Sequence, residues 1–354
     1  MIWLFLICLA VLAGVLEWKL AGWTLADLRY AASCDTLLAE PGQAVTFTST
    51  VENQGLLPVL YIQLVEYLPA GAELQEDEAW IAEHVYSRAK ELCVKDRTYL
   101  LPRRRQTSRL RFSMPQRGWY RLGGAVVSAG DFLGMRESSR QETPGGELVV
   151  IPSRCGAPDV LRTLGGFLGD ISVRRFILAD PILTVGFREY TGREPLKDIS
   201  WTQTARSGRM LVKQYDYTVD VTVTVLLNAE GGTHAQLEQC YRLTRTVCEE
   251  LEARGIPYAF RTNGDLIGPV DFVSFVSEGL GRRHLQTILY GLGRAHCLCM
   301  SSLESLVEKC IRSQRPNEGF LVVTPPLSPR QRVLVDRLRG GGTVCVLTGE
   351  EDLP

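Results

Sequence analysis

The segment Arg188–Tyr215 holds the densest set of side chains that could form charged and aromatic contacts. Its sequence is Arg-Glu-Tyr-Thr-Gly-Arg-Glu-Pro-Leu-Lys-Asp-Ile-Ser-Trp-Thr-Gln-Thr-Ala-Arg-Ser-Gly-Arg-Met-Leu-Val-Lys-Gln-Tyr. Guanidinium groups pair with carboxylates and also stack on aromatic rings. Neither a plain core element nor a plain linker needs this density, so the segment is the first candidate for a functional surface.

Two interpretations of this segment stay open. In the structural one, ion pairs and cation-π contacts fix the segment against the domain that follows. In the other, Arg188 and Arg206 present a docking surface to a protein partner, because Arg, Trp and Tyr dominate interface hot spots. The candidate residues for either role are Arg188, Glu189, Tyr190, Asp198, Trp201 and Arg206.

The same segment has the signals of a short helix. Pro195 suits the first turn and Gly208 suits the end. Helical spacing then predicts inward contacts at Leu196 with Ile199 and at Trp201 with Ala205.

The composition limits the class of protein. A chain of 354 residues is long enough for two ordinary domains. A formal net charge of -1 gives no basic field that would attract nucleic acid, so no nucleic-acid partner is expected. The 10 cysteines are scattered, mostly among apolar neighbours, which indicates reduced core residues.

The amino terminus resembles a membrane anchor. Met1–Leu16 is an unbroken run of apolar and small residues. As a helix it would span roughly 24 Å, somewhat short of the ~30 Å hydrocarbon core. A cleaved signal peptide is the alternative, but no basic residue precedes the run and no clear cleavage site follows it. Lys19 and Arg29 after the run predict a single-pass protein of the cell membrane whose soluble domains lie in the cytoplasm.

The pattern along the rest of the chain predicts an α+β multidomain fold. After the transmembrane helix, several short strands with period-two alternation and Gly or Pro turns predict an immunoglobulin-like β-sandwich. Farther on, strands alternating with helices predict an α/β doubly wound domain. The ranges are a juxtamembrane segment at 17–38, the β-sandwich at 39–152, a connector at 153–187, the signature segment at 188–215 and the α/β domain at 216–354.

Individual helix and strand signals support the α/β assignment. The β-branched run at 220–227 predicts a strand buried on both faces. Thr233 and Gln236 form a capping box for the helix that follows, and Gly255 marks its end.

Four sequence blocks resemble, in order, the bacterial family catalogued as domain of unknown function 58. They are Gln116–Gly123, Gly130–Met135, Leu148–Pro152 and the Arg-Glu-Tyr to Ala-Arg pattern of the signature segment. The second block lacks the Pro of the family. The resemblance implies a membrane anchor, a β-domain and a von Willebrand factor A-like domain at the carboxyl terminus, but it brings no established reaction.

The resemblance also points to one loop where metal could bind. Von Willebrand A domains that hold a divalent cation carry Asp-x-Ser-x-Ser after their first strand, since a hard cation needs several oxygens at fixed spacing. This chain has Asn228, Glu230 and Gly232 at those positions. Thr233 could offer an oxygen, but capping the helix explains it better. The sequence therefore predicts the domain without its metal.

Other motifs give no support to an enzyme. The chain lacks a Gly-x-Ser-x-Gly elbow, a phosphate-binding loop with Lys and a His-Glu-x-x-His motif. His296-Cys-Leu-Cys299 offers soft metal ligands, but no second Cys pair completes a four-ligand site. We therefore predict no catalytic residue, no cofactor and no metal ligand.

The resemblance implies a membrane-anchored protein-interaction or scaffold protein. Relatives are commonly associated with MoxR-type AAA+ ATPases, with a proposed role in assembly or maturation of envelope complexes. The expected partner is such an ATPase, and the expected membrane contact is Met1–Leu16. Two alternatives remain, a metal-dependent adhesion module with its ion at the Asn228–Thr233 loop and an uncharacterised envelope hydrolase.

Overall fold

The chain forms two compact units. The computed structural model describes Trp3 and residues 25–88, 91–130, 137–143, 146–156, 162–169, 184–215, 222–266, 275–313, 318–340 and 342–350. Unit 1 is Met1–Ser153 with Leu289–Ala295, and unit 2 is Arg154–Ile288 with His296–Pro354. The sequence analysis placed all of residues 216–354 in one domain, whereas Leu289–Ala295 belongs to unit 1.

Unit 1 is built mainly from three sheets. The first has the order β1 (Leu28–Cys34), β3 (Val45–Asn53), β8 (Arg105–Ser113) and β5 (Glu73–Leu74). The second has the order β11 (Glu137–Glu142), β10 (Gly124–Gly130), β4 (Val59–Pro69), β7 (Glu91–Leu100) and β6 (Val85–Arg88). The third has the order β2 (Leu38–Ala39), β12 (Gly146–Val150) and β9 (Gly118–Leu122), and helix α1 (Glu78–His84) precedes β6.

The core of unit 1 follows from period-two alternation. Along β3, buried residues alternate with half-buried ones, which places Val45, Phe47 and Val51 on the inner face. Phe47 lies opposite Leu110 of β8, and both join a core that also draws residues from the other two sheets. Burying each large side chain stabilises the fold by about 1.5–3 kcal/mol. The expectation of a β-rich domain in this part of the chain is confirmed.

Unit 2 contains the signature segment and a five-stranded sheet. The segment comprises β13 (Thr184–Glu189), a 3-10 helix (Leu196–Asp198), α2 (Trp201–Ser207) and β14 (Leu211–Tyr215). The sheet has the order β18 (Phe275–Gly279), β16 (Tyr258–Thr262), β15 (Val223–Leu227), β20 (Gly319–Thr324) and β21 (Val344–Thr348), with β18 antiparallel and the others parallel. A small sheet pairs β17 (Gly264–Leu266) with β19 (Ala295–Cys299).

The helices of this region begin and end at recognisable signals. They are α3 (His234–Ala253), α4 (Arg282–Arg294), α5 (Leu303–Ser313), α6 (Pro329–Asp336) and a 3-10 turn (Arg337–Gly340). The capping box predicted at Thr233 and Gln236 is confirmed, since each side chain accepts a backbone N–H of the other. Gly255 follows α3 with a φ of +64°, which glycine adopts without strain. Both central strands, β15 and β20, are buried along their whole length.

The predicted fold class, taken as a whole, is wrong. The described chain is mostly β-sheet, with 43% strand against 31% helix. None of its described helices has the length and apolar character needed to cross a membrane. The predicted anchor Met1–Leu16 lies outside the described residues, apart from Trp3. The short strands β13, β18 and β19 lie where the sequence predicted no strand, because a run of five or six residues has too little periodicity to indicate one.

Candidate functional site

The signature segment folds as a small module of its own. Ile199 and Val212 form an isolated antiparallel bridge, and both side chains are buried. The backbone N–H of Ser200 donates to the Leu211 carbonyl at 2.8 Å, which fixes the start of α2 against β14. Gly208 then ends α2 in the left-handed conformation, with a φ of +70°. These contacts hold the start of α2 against β14.

A carboxylate organises the turn between β13 and the 3-10 helix. Glu194 accepts hydrogen bonds from the Thr191 hydroxyl at 2.8 Å and the Thr191 N–H at 3.0 Å. It also accepts from the Arg188 guanidinium at 2.5 Å and from the Arg193 N–H at 3.3 Å. The Thr191 hydroxyl, with help from Arg188, lowers the pKa of Glu194 to about 2. The turn therefore carries an ionised carboxylate at any physiological pH.

Arg188 and Glu189, two of the candidate residues, form ion pairs with different partners. Arg188 pairs with Glu194, and Glu189 pairs with Arg209 at 2.8 Å on the surface. Glu194 and Arg209 were not among the predicted candidates, although both lie within the segment. A Glu placed just after a Thr-Gly turn is the local signal that could have indicated the first pair.

Hydrogen bonds within the module fix the backbone of two further candidates, Tyr190 and Asp198. The Tyr190 N–H donates to the Met210 carbonyl at 2.9 Å, and the Asp198 N–H donates to the Pro195 carbonyl at 3.0 Å. Arg206 lies exposed in the last turn of α2. Within the part of the chain that the structure describes, no ion pair involves the Arg206 guanidinium.

The predicted inward packing of Leu196 and Trp201 is wrong. Leu196 is 66% exposed and Trp201 is 62% exposed, and Ala205 also faces solvent. The extended backbone at Ile199 and Ser200 separates the 3-10 helix from α2, so one helical period does not run through both. The exposed residues Phe187, Leu196, Trp201, Arg206 and Met210 together are called the signature surface below.

A buried polar network lies at the carboxyl end of the central sheet. Asn228, directly after β15, is fully buried. Its Oδ1 accepts from Asn263 Nδ2 at 2.8 Å, and its Nδ2 donates to Thr324 Oγ1 at 2.9 Å. Thr324 in turn donates to the Pro325 carbonyl at 3.0 Å. The amide of Asn228 therefore uses both its donor and its acceptor to join three neighbouring strand ends.

The other polar groups of the Asn228–Thr233 loop also have structural partners. Glu230 Oε2 accepts from the Leu303 N–H at 2.5 Å, at the first residue of α5. Thr233 caps α3. A hard cation would have to compete with these hydrogen bonds for the Asn228 Oδ1, Glu230 Oε2 and Thr233 Oγ1 atoms. The arrangement favours a structural role for this loop.

Unit 1 contains a second dense cluster, which sequence reasoning missed. Arg294 is 4% exposed, and its guanidinium lies 2.9 Å from Glu147 Oε2 and 4.5 Å from the centre of the Trp119 ring. Glu147 also accepts from Trp119 Nε1 at 2.8 Å and from Tyr290 Oη at 2.7 Å. Burial raises the pKa of Glu147, but the hydrogen bonds from Tyr290, Trp119 and Arg294 outweigh it and leave this pKa below its usual value.

Arg117 extends this cluster by closing the end of a helix. Its Nη1 donates to the carbonyls of Leu292 at 2.7 Å and Ala295 at 2.8 Å, at the carboxyl end of α4. A cation there satisfies carbonyls that have no partner within the helix. Arg117 belongs to the Gln116–Gly123 block, so this block contributes a contact to the end of α4.

Comparison with known proteins adds little. No family model matches the chain, and no curated protein matches it. Among solved structures, the CARDB domain of PF1109 from Pyrococcus furiosus, in complex with di-metal ions, is 12% identical with a TM-score of 0.23, covering 35% of this chain and 88% of that one. An alpha-2-macroglobulin from Salmonella is 16% identical with a TM-score of 0.27, over 36% of this chain and 9% of that one. A third, Escherichia coli alpha-2-macroglobulin from domain MG7 to its carboxyl terminus, is 14% identical with a TM-score of 0.26, over 36% and 24%. Likeness this slight supports no inference about function.

Proposed function

We propose that this chain is a protein-interaction or scaffold protein that docks a partner through the signature surface. The observation that carries the proposal is that helix α2 of a braced module leaves both Trp201 and Arg206 exposed. A tryptophan left 62% in water loses most of the stabilisation that burial would bring, unless a partner covers it.

The surface is held in place before any partner arrives. The Ile199–Val212 bridge and the Ser200 N–H bond to Leu211 join α2 to β14. Thr204 Oγ1 adds a further link, because it accepts from the Leu211 N–H at 3.0 Å. Because the module is already ordered, less conformational entropy is lost when a partner binds, and this favours binding.

The proposed partner is a MoxR-type AAA+ ATPase, acting in assembly or maturation of envelope complexes. The class comes from the resemblance of the Arg188–Tyr215 segment to the domain of unknown function 58 family. The exposed side chains add a chemical requirement. Arg193 and Arg206 flank Trp201 in the sequence and both are exposed, so the complementary face should be acidic with an apolar centre.

The direct test is binding between the full chain and the purified MoxR-type ATPase of the same genome, measured by biolayer interferometry. Wild type should bind, and Trp201→Ala with Arg206→Ala should weaken binding by at least tenfold, as expected for a hot spot. The matched control is Val333→Ala with Arg330→Ala, which removes an exposed apolar and an exposed basic side chain from α6. It should bind like wild type.

Two outcomes would overturn the proposal. In one, the wild-type chain does not bind the ATPase with nucleotide present. In the other, both double variants bind equally well, which would separate binding from the signature surface.

A further inference from the structure

Three side chains capable of binding metal lie close together in unit 2. Two of them come from one helix, and the third comes from a strand 59 residues farther along the chain. His234, Glu238 and Cys297 each offer one ligand atom, and these atoms all lie within 4.8 Å of one another. Cys297 Sγ lies 4.0 Å from Glu238 Oε1. We propose that these three residues bind a divalent cation of the zinc class.

The two helical ligands are placed by the start of α3. His234 and Glu238 are one helical turn apart, so they share a face of the helix. The Thr233 and Gln236 capping box fixes the backbone of this first turn. The spacing and orientation of two of the three ligands are therefore set locally.

The third ligand is brought to that face by contacts of its own strand. Tyr241, buried on α3, donates its hydroxyl to the His296 carbonyl at 2.8 Å, next to Cys297. The Met300 N–H donates to the Asn263 carbonyl at 2.8 Å, just beyond the end of β19. These two hydrogen bonds hold the backbone on either side of Cys297. A metal site needs ligands whose positions are fixed in this way.

The donor types select the metal. A thiolate, an imidazole and a carboxylate suit Zn²⁺, whereas Mg²⁺ and Ca²⁺ prefer oxygen ligands alone. Tetrahedral zinc places its ligand atoms roughly 3.3–3.7 Å apart. The Cys297 Sγ to Glu238 Oε1 distance is 4.0 Å and no pair of ligand atoms is more than 4.8 Å apart, so side-chain rotation must bring these atoms somewhat closer to bind the ion.

Three protein ligands leave a tetrahedral ion with one further position. His234 is exposed, so water can reach the ion there. The site shares no residue with the signature surface or with the Asn228–Thr233 loop. It therefore goes beyond the proposed docking function, and neither proposal depends on the other.

The test uses Co²⁺ as a spectroscopic substitute for Zn²⁺ on the full chain, freed of metal with a chelator. Wild type should bind one equivalent with a thiolate-to-cobalt charge-transfer band, and Zn²⁺ should displace the Co²⁺. Cys297→Ser should lose that band, and His234→Ala should weaken binding by at least tenfold. The matched control is Cys299→Ser, which removes an exposed thiol from the same strand and should leave the band and the affinity unchanged.

A second readout does not depend on the thiol. Saturating Zn²⁺ should raise the thermal unfolding midpoint of wild type but not of His234→Ala, which alters only an exposed side chain and should fold normally. Equal Co²⁺ affinity in wild type, His234→Ala and Cys297→Ser would overturn the proposal. Loss of the band in Cys299→Ser alone would overturn it too, because the ion would then sit elsewhere.

Discussion

Asn228 and Asn263 bind each other across neighbouring parallel strands of the unit 2 sheet. Asn263 Nδ2 donates to Asn228 Oδ1 at 2.8 Å, while Asn263 Oδ1 accepts from the Ala229 N–H at 2.7 Å. Both side chains are buried, so each amide NH2 group must face an acceptor and each amide oxygen must face a donor. This pairing explains why an amide, not a carboxylate, suits the position after β15.

Asn228→Asp should therefore destabilise the protein. A carboxylate would face Thr324 Oγ1, whose proton is already given to the Pro325 carbonyl, and two acceptors would meet in a buried site. We expect a loss of about 1–3 kcal/mol in the free energy of unfolding, measured by urea denaturation. The loss should grow as pH rises, because burial opposes ionisation of the new acid.

The matched control for this variant is Gln286→Glu, the same chemical change on an exposed helical position. It should change stability by less than about 0.5 kcal/mol. If Asn228→Asp proves as stable as wild type and gains further stability from Mg²⁺, the loop is a metal site and not a structural junction.

Gly293→Ala should also destabilise the fold. A Cβ on Gly293 would lie 2.4 Å from Val149 Cγ1 and 3.0 Å from the Val150 carbonyl oxygen. The backbone at Val150 cannot move aside as a flexible side chain can. The added methyl group should therefore lower the free energy of unfolding by about 1–3 kcal/mol. Thermal unfolding followed by circular dichroism measures the effect.

Gly166→Ala is the comparison for that variant, since Gly166 is helical and exposed and a Cβ added there would meet nothing within 4 Å. Alanine there should stabilise by about 0.5–1 kcal/mol. Equal effects of the two substitutions would contradict the close approach of α4 to β12.

Glu147→Ala should leave the Arg294 guanidinium buried without its carboxylate. Trp119 Nε1 and the Tyr290 hydroxyl would lose the same acceptor. We expect a loss of about 2–4 kcal/mol in the free energy of unfolding, because an uncompensated buried charge is costly. Removing Glu308, which pairs with Arg312 on the surface, should cost about 0.5 kcal/mol or less under the same denaturation protocol. A similar loss in both would show that the Arg294 cluster is as weak as a surface ion pair.

Glu194 should make the turn at Thr191 sensitive to acid. Its pKa is lowered from 4.5 to about 2, so its stabilising hydrogen bonds are fully present above pH 4.5 and are lost as pH falls toward 2. In protein labelled with 15N-threonine, the Thr191 amide shift should titrate with a midpoint near 2. A midpoint near 4.5 would contradict this, and Glu194→Gln should abolish the titration altogether.

Local features of the sequence determined many of the elements. Period-two alternation predicted short strands in the first domain, such as the one that the structure places at Val45–Asn53, and the capping box at Thr233 was predicted correctly. Such features arise between residues one helical turn or one strand period apart, so the sequence alone displays them. The same locality explains the misjudged fold class, because short strands give little periodic signal.

Only the tertiary structure decided which side chains meet and which stay in water. Arg294 and Glu147 are 147 residues apart, and Cys297 reaches Glu238 from 59 residues away. The exposure of Trp201 likewise depends on how the signature segment folds back onto itself, not on helical spacing. The sequence by itself therefore determined the residue types, the helix caps and many of the strands of this protein. Packing of the whole fold decided which of those residues come into contact and which remain exposed to solvent.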